Sequence, residues 1–132
     1  MIDIDAELRA YIEAANDAPV EWGVSDCSSW SAGWVAKVTG EPVPMPPWHS
    51  ADEAYALIAE AGSLDALWRD ALATRGLRET GDPDVGDVGI IDTGRFGQVG
   101  GIFLAGEYFA WRAEKGTRFL VPRRIVRSWS IR

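Results

Sequence analysis

Along the first part of the chain, apolar side chains return every three or four residues. Ile4, Leu8, Tyr11, Ile12 and Ala15 fall on one helical face, with Asp3 or Asp5 placed as N-cap and Glu7 in the first turn, so the first predicted element is an amphipathic helix. After a turn-like stretch from Asn16 to Pro19, the same spacing recurs at Trp30, Trp34 and Val38, and Gly40 supplies a stop. A second helix therefore begins at or near Cys27. The next stretch, Glu41 to His49, holds four prolines and cannot continue a helix, so it should run extended as a loop with little freedom. Ser50 followed by Glu53 forms a capping box that opens a third helix, to about Ala61. Gly62-Ser63 separates it from a fourth carrying Leu64, Leu67, Trp68, Ala71 and Leu72, and the two read as a helical hairpin.

From Gly81 the period changes. A turn at Gly81-Asp82-Pro83-Asp84 precedes short runs of β-formers at Val88 to Ile91, Val99 to Leu104, Tyr108 to Trp111, Phe119 to Val121 and Ile125 to Ile131. Gly94, Gly97, Gly106 and Gly116 punctuate them, as tight connections of an antiparallel meander would. Helices first and strands second predict an α+β fold, not alternating parallel α/β. At 132 residues the chain reads as a single domain, 1–132, with a helical half over about 1–80 and a sheet half over about 81–132.

Composition narrows the chemistry. An apolar share of 47% with seven Trp supports an ordinary core without a disulfide or metal, and excludes disorder for most of the chain. The single cysteine, Cys27, excludes an internal disulfide framework and any multi-cysteine metal site, and the single histidine, His49, excludes a His-rich one. No cofactor is implied. The start MIDIDAELRA has no basic segment leading into an apolar run, and no apolar stretch approaches a membrane span, so neither a signal peptide nor membrane insertion is expected. A net charge of -7 argues against nucleic acid as the main partner. The charge is also asymmetric: residues 1–93 carry 18 acids and 5 bases (net -13), and residues 94–132 carry 2 acids and 8 bases (net +6). That asymmetry suits internal attraction and docking to charged partners, and equally two solvated faces.

Cys27 is the most informative position. A thiol in the first turn of a helix meets the positive end of the macrodipole and free N–H groups, which favour the thiolate and prepare a nucleophile. A lone cysteine is also commonly a small buried hydrophobe. The string Trp22-Gly23-x-x-Asp26-Cys27-Ser28-Ser29-Trp30 is followed by Gly86-Asp87-Val88-Gly89-Ile90-Ile91 and then Val99-Gly100-Gly101-Ile102-Phe103-Leu104. This pattern resembles the NlpC-type, papain-like cysteine peptidase superfamily, and more closely its small relatives in phage, prophage and gene-transfer-agent tail gene clusters. The resemblance implies a papain-like fold in which the cysteine opens the central helix, a histidine on the second strand acts as base, and a polar group on the next strand orients it.

Carried over by position, Cys27 matches the nucleophile. The histidine should stand at Gln98, Val99 or Gly100, depending on where one extra glycine is placed, and none is there. Phe109 to Trp111 offers no orienting His, Asn or Gln. Gln98 can hydrogen-bond but cannot take and return a proton at neutral pH, and loss of the base costs orders of magnitude in rate. His49 is the remaining imidazole. Its loop leaves from the far end of the Cys27 helix, about 17 Å from the cysteine, but is long enough, at about 30 Å extended, to return.

Other features are weaker. Trp30, Trp34 and Trp68 occupy core-facing helical positions, whereas Trp48 and Trp111 read as exposed and, with Trp22 and Asp26, as binding residues. Gly97-Gln98-Val99-Gly100-Gly101 lacks the Lys-Ser/Thr and the following helix of a phosphate loop. Asp82, Asp84, Asp87 and Asp92 lack EF-hand spacing and read as turn and strand-start residues, so no metal site is expected. Arg123, Arg124, Arg127 and Arg132 suit an acidic partner, or the solvated edge of a final strand.

Two functions follow from the resemblance. One is a virion component of a phage-like tail tip or tail assembly, made in the host cytoplasm, with an inactive peptidase-derived site and other tail-tip or hub proteins as partners. The other is an active cysteine hydrolase that cuts peptidoglycan peptides, with Cys27 as nucleophile and His49 or a partner's residue as base. A host protein with no phage connection is a third reading.

Overall fold

The computed structural model describes residues 3–16, 26–44, 48–94, 97–112 and 116–131, with the backbone of Cys27 but not its side chain. Four helices come first: α1 (Ile4–Asn16), α2 (Cys27–Thr39), α3 (Ala51–Ala61) and α4 (Leu64–Ala73). Five strands follow: β1 (Val88–Asp92), β2 (Gln98–Phe103), β3 (Phe109–Arg112), β4 (Thr117–Leu120) and β5 (Ile125–Trp129). The fold is α+β, as the change of hydrophobic period predicts. None of these helices is long and apolar enough to cross a membrane.

Local chemistry sets the helix ends. Asp26, Ser50 and Ser63 cap α2, α3 and α4 by accepting the N–H of the residue three positions on, at 3.1, 3.2 and 3.0 Å. α2 stops where Gly40 turns left-handed, at φ 82°, and gives its N–H to Ala36 O at 2.8 Å.

All strand pairs are antiparallel, in the order β4-β3-β2-β1-β5. β1 to β4 form the expected meander, but β5 crosses to the other side of β1. A four-residue link joins β4 to β5. Extended, its five Cα steps reach about 17 Å, whereas four strand spacings in a flat sheet amount to about 19 Å. Register lengthens the gap, because Leu120 pairs with Phe109 beside Phe103, and Ile125 pairs with Ile91 at the opposite end of β1. The sheet therefore has to roll. Nor is β5 a solvated edge: Thr80 N–H donates to Ser128 O at 2.9 Å and Ser130 N–H to Arg78 O at 2.8 Å, so residues 78–80 cover its outer side.

Alternation along the strands divides the core in two. Val88, Ile90, Ile102, Ala110 and Trp129 face the helices and join Leu8, Trp30, Trp34 and Trp68. Ile91, Val99, Phe103, Phe109 and Trp111 form a second cluster on the other face. Phe109 is fully buried there, which the rolling of the sheet accounts for. Trp111 is likewise buried, not exposed as expected, because its position on β3 points it into this second cluster.

Candidate functional site

Cys27 is the first residue of α2, and α2 packs across β2 and β3. The position matches the sequence expectation. The neighbours of Cys27, however, are committed to holding the helix in place. Asp26 is buried; its Oδ1 accepts the Ser29 N–H at 3.1 Å and its Oδ2 the Ser29 hydroxyl at 3.0 Å. Oδ2 also accepts the indole N–H of Trp48 at 2.7 Å. A carboxylate at the N-cap occupies the positive end of α2.

The Trp48 bond corrects the expectation that Trp48 is exposed: it is 2% exposed. The chain that leaves α2 at Gly40 is back beside the start of that helix by Trp48, and the indole is the anchor. His49 follows directly and is exposed. Its backbone N–H donates to Glu53 Oε2 at 2.6 Å, which completes the capping arrangement of α3 one residue earlier than the usual form. The loop thus returns to the start of α2 with Trp48 inward and His49 facing solvent.

On the opposite side, Ser28 Oγ accepts the indole N–H of Trp68 at 2.9 Å. That indole packs against β2 at Gly100, where an added Cβ would fall 2.2 Å from Trp68 Cζ2. This bears directly on the three positions at which the resemblance places a base. Val99 belongs to the second cluster and points away from α2. Gly100 faces the helices, but the space in front of it is filled by Trp68. Gln98 shares the helical face and is exposed at the beginning of β2, opposite Asp92. Trp68 and Gly100 were not singled out as a pair from the sequence. The available signal was glycine inside a strand, a mark of close approach by another group.

Along β3, Phe109 and Trp111 point away from the helices, and Ala110 alone of the three faces them. The next residue on that face is Arg112, buried, with Nη1 donating to Gly116 O at 2.6 Å. Burial pulls its pKa below the usual guanidinium value. Arginine offers donors only and is not a general base.

Trp30 stacks on Tyr11 with ring centroids 5.5 Å apart, and Tyr11 gives its hydroxyl proton to Trp30 O at 2.7 Å. Burial pushes the Tyr11 hydroxyl up to about 12. Trp34 Nε1–H donates to Gly86 O at 2.7 Å, tying the middle of α2 to the entrance of β1. Asp84, Asp87 and Asp92 act in turns: their carboxylates accept the N–H groups of Val85, Asp84 and Gly94 respectively. Asp87 also accepts the Ile131 N–H at 3.1 Å. Among the described residues, no three His, Cys, Asp or Glu side chains gather to hold a metal ion.

Arg127 does not present a free cation to an acidic partner. Its Nε and Nη2 contact Asp65 at 2.5 and 3.2 Å, and its Nη1 contacts Glu79. These bonds raise its pKa further. Arg123 and Arg124 are exposed, the latter 4.0 Å from Asp92. Trp22 and Arg132 lie outside the described residues.

The geometry defines an α+β protein whose cysteine-led helix is pinned between two buried indoles and a rolled antiparallel sheet. The chain belongs to the family described as Domain of unknown function (DUF6950), whose profile matches residues 1–131. No curated protein matches it.

Proposed function

We propose that this chain is a structural component of a phage-like tail tip or tail assembly, built on a papain-like, NlpC-type fold whose catalytic site has been given over to packing. The observation that carries the loss of catalysis is Trp68. Its indole fills the helix-facing space at Gly100 and bonds to Ser28, the residue beside Cys27. A base standing there would need that volume. Support for the tail role comes from the sequence pattern around Cys27 and β1–β2, which is similar to small proteins of tail gene clusters.

The test is localisation together with activity. Antibody to the chain is applied to phage-like particles released from the source cells, and the purified chain is incubated with peptidoglycan. The proposal expects label at the tail tip and no peptide release. A chain absent from particles, or one that releases peptides in a Cys27-dependent manner, overturns it.

The second reading, an active hydrolase, is favoured by one observation. The Trp48 to Asp26 bond returns the loop carrying His49 to the beginning of α2. In that reading His49 takes the Cys27 proton and returns it to the leaving amine. It requires iodoacetamide to modify Cys27 well below pH 8 in the folded protein, and His49→Ala to slow that reaction. A thiol inert until unfolding rules it out.

A further inference from the structure

Among the described residues, four of the five most exposed large hydrophobic side chains gather in one place. Tyr108, Phe119, Val121 and Ile125 are 43 to 53% exposed, and only Tyr55, on α3, lies apart from them. They line two adjoining hollows of about 450 and 480 Å3, which share Val85, Leu104 and Ala105 as a common floor. One hollow lies between residues 81–85, 104–108 and 121–125, and the other runs between α1 and β4. Exposed apolar side chains gathered along adjoining hollows in this way mark a binding surface more often than isolated exposed residues do.

The rim is mainly acidic. Asp82, Asp84 and Glu107 border the first hollow, and Asp5 and Glu13 the second, against a single base, Arg9. Among the described residues none of these five acids is in an ion pair, although Lys37, Arg75, Arg124 and Arg127 find acidic partners elsewhere. The turn at the lip is also unusual. Gly106 and Glu107 both have positive φ, 72° and 65°, and Glu107 is the only non-glycine so placed among the described residues. Backbone held in this region costs energy, and here it presents Glu107 and Tyr108 at the mouth of the groove.

The geometry points to this groove as the docking site for a segment of another protein that carries apolar anchors flanked by lysine or arginine. An acidic or neutral segment would bury the five carboxylates without a counter-charge, which is costly, whereas a basic one supplies it and gains attraction on approach. The surface is separate from the Cys27 site. Ser28, at the start of α2, meets Trp68 and Gly100, and Trp34, about 9 Å further along the helix, bonds Gly86 beside the groove. The inference therefore holds whichever role Cys27 has.

The test uses the full chain and two synthetic peptides, one alternating leucine with lysine and one alternating leucine with glutamate. Binding is followed by amide chemical shifts and fluorescence polarisation. The expected result is binding of the lysine peptide, with shifts centred on Tyr108, Phe119, Val121 and Ile125, and weakening as salt rises from about 50 to 300 mM. Replacing Asp82→Asn, Glu107→Gln and Glu13→Gln together should weaken binding about fivefold or more with the circular dichroism spectrum unchanged. Val121→Ser, which leaves the charge of the rim unchanged, should weaken it by a similar factor. Equal binding of both peptides, shifts located elsewhere, or no binding overturns the proposal. So do shifts at these four residues that grow with protein concentration alone, since the occupant would then be a second copy.

Discussion

The packing of Trp68 on Gly100 can be tested by making each residue intolerable to the other. In Gly100→Ala the new Cβ would lie 2.2 Å from Trp68 Cζ2, 2.8 Å from Cη2 and 2.9 Å from Cε2. Ordinary carbon contacts lie near about 3.5 to 4.0 Å, so the indole must retreat by more than about 1 Å. It has little room to do so: it is 1% exposed, its N–H is held by Ser28 at 2.9 Å, and the Trp129 ring stands 5.9 Å away. Overpacking of a closed core costs about 1 to 3 kcal/mol, and this rigid site belongs at the upper end. Trp68→Ala alone should cost about 3 to 5 kcal/mol through lost burial and the cavity left behind. If the two sites were independent, the double variant would lose about 6 to 8 kcal/mol, much of a typical domain's stability. The structure instead predicts that the double variant is no less stable than Trp68→Ala, because the alanine methyl enters space the indole has left. Urea unfolding followed by far-ultraviolet circular dichroism, with unchanged m, measures all three. Additivity within about 0.5 kcal/mol would refute the claim that Trp68 occupies the helix-facing space at Gly100.

Three further outcomes follow from other bonds at and around the site. Asp26→Ala removes a cap worth about 1 kcal/mol and strands the buried Trp48 N–H at about 1 to 3 kcal/mol, so urea unfolding should show a loss of about 2 to 4 kcal/mol and limited proteolysis should cut the 41–49 loop faster; Asp26→Asn, which keeps an acceptor, should lose less than half as much. Arg127→Met should destabilise by about 1 kcal/mol, since the ion pairs to Asp65 and Glu79 are partly exposed, and 1 M salt should shrink the difference; an unchanged difference in salt would assign Arg127 to packing. Tyr11 sets a pH window: its folded pKa, raised to about 12 by burial, lies above the ordinary value of 10.0, so between those values the unfolded chain sheds a proton that the folded chain keeps. Stability should be constant in this respect below pH 10 and fall by about 1 to 2 kcal/mol as pH approaches 12, after allowing for partial exposure, and Tyr11→Phe should flatten that fall.

How far the sequence anticipates this structure depends on the range of the interaction that decides each feature. Helix starts at Ser50 and Ser63 and the stop at Gly40 are legible because cap and periodicity lie within a few residues of each other. Strand positions are legible for the same reason. The partner of β5 is not, since pairing with β1 depends on how strongly the whole sheet rolls, which no local run of residues encodes. Trp48 sits in a proline loop that reads as exposed, and a single bond to Asp26, distant in sequence, buries it. The same holds at the site: Gly100 inside a strand announces a close approach, but only the fold names Trp68 as the group that approaches.

That distinction changes what the motif around Cys27 means. A string such as Asp-Cys-Ser-Ser-Trp is read as chemistry when its spacing matches a catalytic pattern, yet in this chain Asp26 caps α2 and anchors Trp48, Ser28 holds Trp68, Ser29 answers Asp26, and Trp30 stacks on Tyr11. Each of these duties is independent of catalysis, because removing any one leaves a buried polar group or a void. The motif therefore has a structural account that stands with or without activity. Only at Cys27 do the two accounts part: a nucleophile requires a reachable thiol with a proton acceptor, and a packing role requires neither. Cys27→Ser makes the contrast measurable, since it conserves shape, removes the thiolate, and should leave particle assembly intact if the helix start serves only to hold the fold.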